Sequence, residues 1–225
     1  TERWCLWLKD LTQRDLRASP ALKRQLDAVA EKRSASRRPA TQEAARTPGL
    51  FMEIRQPDTP YLCIPRHVTE NRRYWTAARL DADVICGDAA FLAPDEDGFL
   101  FALISSSMFI AWLRSIGGRI KSDLRFANTL VWNTFPAPDL DPATRGRIIE
   151  AGKRIVSARA NTPDRSLSEL YDPYLMGANT SLRKAHNALD TEVDKAFGST
   201  RRLQTEKQRL ELLFPAYQAL IAPRN

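Results

Sequence analysis

Histidine, cysteine and glycine are scarce in this sequence, and each scarcity closes off a class of chemistry. His67 and His186 are the only imidazoles in 225 residues, and neither belongs to a ligand set of the kind that holds zinc. Cys5, Cys63 and Cys86 are odd in number and lie far apart in apolar surroundings. That pattern predicts buried free thiols in a reducing compartment, hence a cytoplasmic protein, rather than disulfides. Of nine glycines the only adjacent pair is Gly117-Gly118, and it follows a helical stretch. A glycine-rich turn after a strand is therefore missing, and with it the dinucleotide fingerprint and the P-loop. No apolar run approaches the roughly 18 residues of a membrane span, so no membrane partner is expected. The chain opens on Thr-Glu-Arg-Trp without a leader pattern and reads as a segment of a longer protein.

The residues that are present describe a basic globular chain. Hydrophobic residues make up 43%, charged residues 27%, and the net charge is +7, which permits a polyanionic partner. Its distribution is uneven. Residues 1–47 carry 11 basic and 6 acidic side chains, 48–140 carry 9 and 11, and 141–225 carry 14 and 10. If this slightly acidic middle segment binds DNA, it cannot do so as a uniform basic surface, and a few placed residues must do the reading while the flanks attract the backbone.

Periodicity divides the chain in the same places. The partly alternating segment Arg3–Leu8 suggests a short strand, and Leu11–Arg38 suggests helix, with Ser19 capping Pro20 at a first helical position. The basic run Glu31–Arg38 reads first as a solvated helix end, the alternative being contact with nucleic-acid backbone phosphates. Strands are predicted at Tyr61–Ile64, Arg73–Arg79, Val84–Cys86, Phe91–Ala93 and Leu130–Phe135. Among them, Gly98–Ile116 is apolar at helical spacing, and Gly117-Gly118 supplies a left-handed stop. From Asp141 the chain reads as helices: Pro142–Ala160, Ser166–Tyr171, Asn179–Phe197 and Leu203–Leu220, the second opened by the capping box Ser166-Leu-Ser-Glu169. The fold class is α+β, a mixed domain with short strands around a central helix, followed by an all-α bundle. The expected divisions are a connector over 1–47, a mixed α+β domain over 48–140 and a helical domain from 141.

Catalytic groupings do not emerge. Ser105-Ser106-Ser107 lies in the apolar helical stretch with no nucleophile elbow around it. Asp95-Glu96-Asp97 reads as a turn whose carboxylates favour the N-terminus of the next helix. Asp81, Asp83 and Asp88 are the carboxylates to suspect if the chain were a nuclease.

One row of charges has specific chemistry. Arg119, Lys121, Asp123 and Arg125 fall at every second position, and an extended strand would point all four to one face. Lysine donates to guanine O6 and N7, and a carboxylate accepts from the cytosine amino group. Lys121 and Asp123 together match both halves of one G·C pair. Asn128 is of a type that reads adenine. The alternative is a same-face ion pair on a solvated edge, in a module that binds a protein partner through its basic helices.

The ordered segments Tyr61-Leu-Cys-Ile-Pro-Arg-His67, Arg72-Arg-Tyr74, Asp83-Val-Ile85, Trp112-Leu-Arg114, Gly118-Arg-Ile-Lys-Ser-Asp-Leu-Arg-Phe126 and Val131-Trp-Asn-Thr-Phe-Pro136 resemble the target-recognition domain of MmeI-like enzymes. These are single-chain type II restriction and adenine methyltransferase proteins. Leu167-Ser-Glu-Leu-Tyr-Asp-Pro173 and Lys184-Ala-His-Asn-Ala-Leu-Asp190 resemble their C-terminal helical region. The resemblance implies double-stranded DNA as partner and a methyltransferase domain elsewhere in the protein. It also implies S-adenosylmethionine as that domain's cofactor, with Mg2+ wherever a nuclease domain is present. This sequence lacks the family's Asn-Pro-Pro-Tyr motif, its methyl-donor glycine motif and its nuclease carboxylates, so no catalytic residue is expected here. In the family, the positions matching Lys121 and Asp123 vary together and set one base, the position matching Arg125 contributes to another, and a further specificity position lies near Ala89 and Ala90. Arg119 is expected at a neighbouring base or phosphate, and Arg66, Arg72, Arg73 and Ser122 on the DNA backbone.

Overall fold

The structure, a computed structural model, describes residues 4–222 and divides into two compact units, Thr1–Arg55 and Gln56–Asn225. Arg3 lies outside the described residues, and Trp4–Leu8 forms no strand. In the first unit the expected helix over Leu11–Arg38 is broken. Helix α1 spans Gln13–Ala18 and α2 spans Pro20–Ser34, with Ser19 between them at φ −130°, ψ 90°. Pro20 is the reason, because a proline ring disfavours helical backbone at the residue before it. The freed Ser19 side chain then accepts the Leu22 amide and caps α2 as the sequence indicates. A short helix α3, Pro39–Glu43, and a 3-10 turn, Ala44–Arg46, follow. Arg33, from the basic run, donates to the carbonyls of Ala44, Thr47 and Leu50 at 2.9, 3.1 and 2.9 Å. That side chain pins the local chain, which is more than a solvated end would do.

The second unit is built on two three-stranded antiparallel sheets. The first has the order β3 (Ala78–Leu80), β1 (Tyr61–Pro65), β4 (Ala90–Pro94). The second has the order β2 (His67–Val68), β6 (Asp123–Arg125), β5 (Arg119–Ile120). One predicted strand is shortened, Arg73–Arg79 keeping only its end in β3, and two others are absent. Residues 73–77 form no ladder, and Tyr74, Trp75 and Ala77 instead plug the core. Val84–Cys86 crosses the sheet as a loop, held by side chains: Gln56 donates to the carbonyls of Ala82 and Val84, and Tyr61 Oη to that of Val84. Leu130–Phe135 is likewise not a strand, since Asn128–Trp132 winds into a π-helical turn. The Ala127 carbonyl accepts from Val131 and Trp132, and Thr134 Oγ1 donates to the Leu130 carbonyl. Local hydrogen bonds satisfy this backbone, so it needs no strand partner.

The helical stretch Gly98–Ile116 is two helices, α4 (Phe99–Ile104) and α5 (Ser107–Ile116), parted at Ser105-Ser106. The serines make the break instead of filling helix positions: Ser106 Oγ accepts the Phe109 amide and caps α5. Asp190 completes the cap from a helix far along the chain, accepting from the Ser107 amide at 2.7 Å and its hydroxyl at 2.6 Å. The acidic turn also differs from a solvated one. Asp95 is buried, accepts the amides of Leu100 and Phe101, and faces Arg79 at 3.4 Å, while Asp97 pairs with Arg145. Gly117 ends α5 at φ −71°, ψ 150°, which is not left-handed. Glycine is required there for another reason, because an added Cβ would sit 2.4 Å from the Leu113 carbonyl oxygen.

Helices α6 (Pro142–Ala160), α7 (Leu167–Leu170), α8 (Pro173–Ala178), α9 (Thr180–Ala196) and α10 (Glu206–Ile221) complete the chain. Asp141 caps α6 with Pro142 in its first turn, and Ser166 with Glu169 forms the capping box of α7. Helix α6 lies between α4 and α9, and α5 packs against α9 and α10. Gly152 allows the close approach of α6 to α4: a Cβ there would lie 2.7 Å from that of Ala102. One core therefore runs without interruption from Leu62 on β1 through Trp112 on α5 to Leu189 on α9 and Leu213 on α10. His186, read as one of two stray imidazoles, is a core residue stacked on Tyr74, with Nε2 2.7 Å from Tyr171 Oη. The thiols depart from the buried expectation. Cys5 is exposed, Cys63 and Cys86 are half-buried, and the sulfurs of the last two meet. Among the described residues no helix is long and apolar enough to cross a membrane.

Candidate nucleic-acid interface

Arg119–Arg125 is a tight hairpin, not the single extended strand its alternation suggested. Ile120 pairs with Asp123 and Arg119 with Leu124, leaving Lys121 and Ser122 as a two-residue turn. This changes which side chains share a face. Cross-strand partners lie on one side of a sheet, so Asp123 shares its side with Ile120 and Arg125, and Arg119 falls on the other. Leu124 and Phe126 are buried on the core side, whereas Lys121, Ser122 and Arg125 are exposed.

Lys121 has φ +56° and is the only non-glycine residue with positive φ among the described residues. Left-handed backbone costs a residue with a Cβ about 1–2 kcal/mol, and such strain concentrates at functional sites. The turn is braced. Arg119 donates to the Ser122 carbonyl at 3.0 Å and faces Glu70 at 3.8 Å, while Arg114 donates to the Glu70 and Arg72 carbonyls and pairs with Glu206 of α10. Arg119 is thus occupied at the turn, away from the face on which Asp123 and Arg125 stand.

Arg66 joins the two sheets. Its amide donates to the Ala89 carbonyl at 3.0 Å, extending the β1–β4 ladder by one step, and its carbonyl accepts from the Phe126 amide at 2.9 Å, extending β2–β6. One residue of backbone therefore sets the Ala89-Ala90 corner beside the end of the hairpin. The Arg66 guanidinium lies over the Phe91 ring, 5.1 Å from its centre. His67, opposite Arg125 in the register, is exposed on the same face. It was missed in the sequence because a two-residue strand carries too little alternation to show which way it points.

The remaining residues divide. Asn128 is exposed where the π-helical turn begins, three residues past Arg125. Arg73 is exposed beside the Tyr74 ring. Arg72 is only half-exposed and differs from Arg66 and Arg73, since its terminal nitrogens donate to the Ser168 carbonyl and hydroxyl at 2.8 and 3.0 Å. Burial also holds its pKa below the usual arginine value, against the opposing charge of Asp172. Among the described residues, Lys121, Arg125, Arg66 and Arg73 take part in no ion pair, and no cluster of three or more His, Cys, Asp or Glu is placed to hold a metal. The passage from β4 into α4 is occupied by the protein's own side chains. Asp95 fills the helix terminus, and Arg79 lies within 3.2 Å of the Gly98 Cβ position.

Two small antiparallel sheets presenting a charged hairpin corner, packed with helices, define an α+β domain. A solved structure described as "Structure of Type IIL restriction-modification enzyme MmeI in complex with DNA has implications for engineering of new specificities" superposes with a TM-score of 0.87 at 38% identity, covering 96% of this chain and 29% of that one. Residues 1–139 match the family model "MmeI, target recognition domain" and residues 140–223 match "MmeI, C-terminal domain". The chain belongs to the MmeI target recognition domain family. It is also similar to "DNA methyltransferase A" of Bacillus subtilis (strain 168), 28% identical over 218 residues, which are 97% of this chain and 24% of that protein. The chain spans 24% and 29% of the length of these two relatives.

Proposed function

We propose that this chain reads a short sequence of double-stranded DNA and so directs adenine-N6 methylation, and in some proteins cleavage, by domains outside it. The observation that carries the reading is the Arg66 junction. It gathers the hairpin face and the Ala89-Ala90 corner, distant in sequence, at one exposed edge that includes unpaired cations and, among the described residues, the one non-glycine backbone with positive φ. A duplex major groove admits a two-stranded ribbon. Lys121, at the tip, donates to guanine O6 and N7, and Asp123, opening the returning strand, accepts from the amino group of the paired cytosine. Arg125, with His67 beside it, addresses a neighbouring base, and Asn128 reads an adenine. Arg66, Arg73 and the Ser122 hydroxyl bind phosphates, which fix register without reading sequence.

Two roles expected from the sequence are reassigned in this reading. Arg119 positions the turn rather than touching a base, and Arg72 ties the loop after β2 to α7. S-adenosylmethionine, and Mg2+ where a nuclease is present, belong to the rest of a longer protein, whose methyltransferase domain is the intramolecular partner.

Binding of the chain to a panel of duplexes varied one base pair at a time tests the proposal. Replacing Lys121→Glu and Asp123→Arg together inverts donor and acceptor, and one position should switch from G·C to C·G. An unchanged site preference would overturn the pairing. Binding through phosphates should also weaken steeply between about 50 and 200 mM salt, whereas salt-insensitive binding would favour a protein-interaction module.

A further inference from the structure

Cys63 lies on β1 and Cys86 in the connection between β3 and β4, 23 positions apart, yet their sulfurs are 2.8 Å from each other. The encounter is built by both segments. Tyr61 and Cys63, two apart on a strand, project to one side of the sheet, and both engage the crossing loop. Tyr61 Oη donates to the Val84 carbonyl at 2.6 Å, and Gln56 Nε2 donates to the carbonyls of Ala82 and Val84 at 2.9 and 3.0 Å. Beyond Cys86 the loop is fixed again where the Ala89 carbonyl accepts the Arg66 amide. Both thiols are half-buried, within reach of a small oxidant, whereas the third thiol, Cys5, is exposed in the other compact unit.

We propose that Cys63 and Cys86 form a redox-active dithiol, which hydrogen peroxide closes to an intramolecular disulfide fastening the 81–89 loop to β1. The two sulfurs are unequal partners. The Cys63 thiol and the Gly87 amide hydrogen-bond to Cys86 and pull its pKa down, while the same bond and burial push Cys63 up. Cys86 is therefore the nucleophile. Its thiolate attacks one peroxide oxygen, the O–O bond breaks, and a sulfenic acid forms as the departing hydroxide takes up a proton to become water. The Cys63 thiol gives up its proton, and its sulfur attacks the Cys86 sulfur and displaces the hydroxyl as a second water. The sulfurs together lose two electrons, which the peroxide gains. Because the loop runs directly into Ala89 and Ala90, the bond stiffens one border of the exposed corner. This thiol chemistry is independent of DNA recognition.

The test uses the full chain treated with hydrogen peroxide, then alkylated, digested and mapped by mass spectrometry. The expected result is loss of alkylation at Cys63 and Cys86 together, a linked peptide pair two hydrogens lighter, reversal by dithiothreitol, and Cys5 still alkylated. Hydrogen exchange across 81–89 should slow by roughly tenfold or more in the oxidised chain, because the crosslink suppresses loop opening. Cys5→Ser should bridge as before, and Cys86→Ser should show no change in exchange on oxidation. Alkylation of both thiols after peroxide, a bridge to Cys5, or oxidation that stops at sulfinic or sulfonic acid would each overturn the proposal.

Discussion

Replacing Lys121→Gly separates recognition from folding, because the two effects have opposite signs. Lys121 occupies left-handed backbone at φ +56°, at a cost of about 1–2 kcal/mol that glycine does not incur. Glycine loses more freedom on folding, which takes back about 0.5–1 kcal/mol. The variant should accordingly be as stable as the parent or up to about 1.5 kcal/mol more so. The Lys121 side chain makes no ion pair within the described chain, so nothing internal is lost with it. If its amine donates to a guanine, affinity for the matched duplex should fall by about 1–3 kcal/mol, roughly five- to 150-fold, with discrimination relaxed at that base pair alone. Urea denaturation measures the first effect, and fluorescence anisotropy against duplexes varied at each position measures the second. Unchanged affinity and unchanged preference in a folded variant would refute the role given to Lys121. Loss of stability above about 1 kcal/mol would refute the argument from strain.

Two further predictions concern the helical layer. Asp194→Ala should destabilise the chain by about 3–5 kcal/mol in urea denaturation. Asp194 is fully buried, accepts from Arg209 Nε and Nη2 at 3.0 and 2.9 Å and from the Leu203 amide at 2.7 Å, and its removal strands the buried guanidinium; a cost below about 1 kcal/mol would show that water reaches Arg209. The second prediction concerns pH. Burial, and then the charge of Arg159, hold His186 well below its ordinary 6.5. The unfolded chain gains a proton as pH falls through about 6.5 and the folded chain does not, so stability should drop below that pH by up to about 1.4 kcal/mol per unit. Asp190 and Asp194, raised mainly by burial, act in the opposite sense, adding stability as pH falls through their folded values. His186→Gln should flatten the profile just below 6.5, and an identical slope in the variant would place the titration elsewhere.

Sequence alone determined whatever depends on neighbours along the chain. Ser19 before Pro20, Asp141 before Pro142, and Ser166 with Glu169 start their helices as read, because a cap needs only a side-chain oxygen within three residues of the amides it satisfies. β1 was legible as an apolar run between two prolines. The charges of the 119–125 segment were legible too, together with their donor and acceptor chemistry. Tertiary structure decided how those charges are arranged. Alternation predicts one face only if the strand continues, and the turn at Lys121-Ser122 moved Arg119 to the opposite side. The same limit applies elsewhere. The carboxylate that caps α5 comes from Asp190, 83 positions from Ser107, the thiol contact joins Cys63 to a loop residue, and Arg66 carries one sheet into the other. Each of these is a meeting of segments distant in the chain, and such contacts leave no periodicity in the sequence because packing alone selects them.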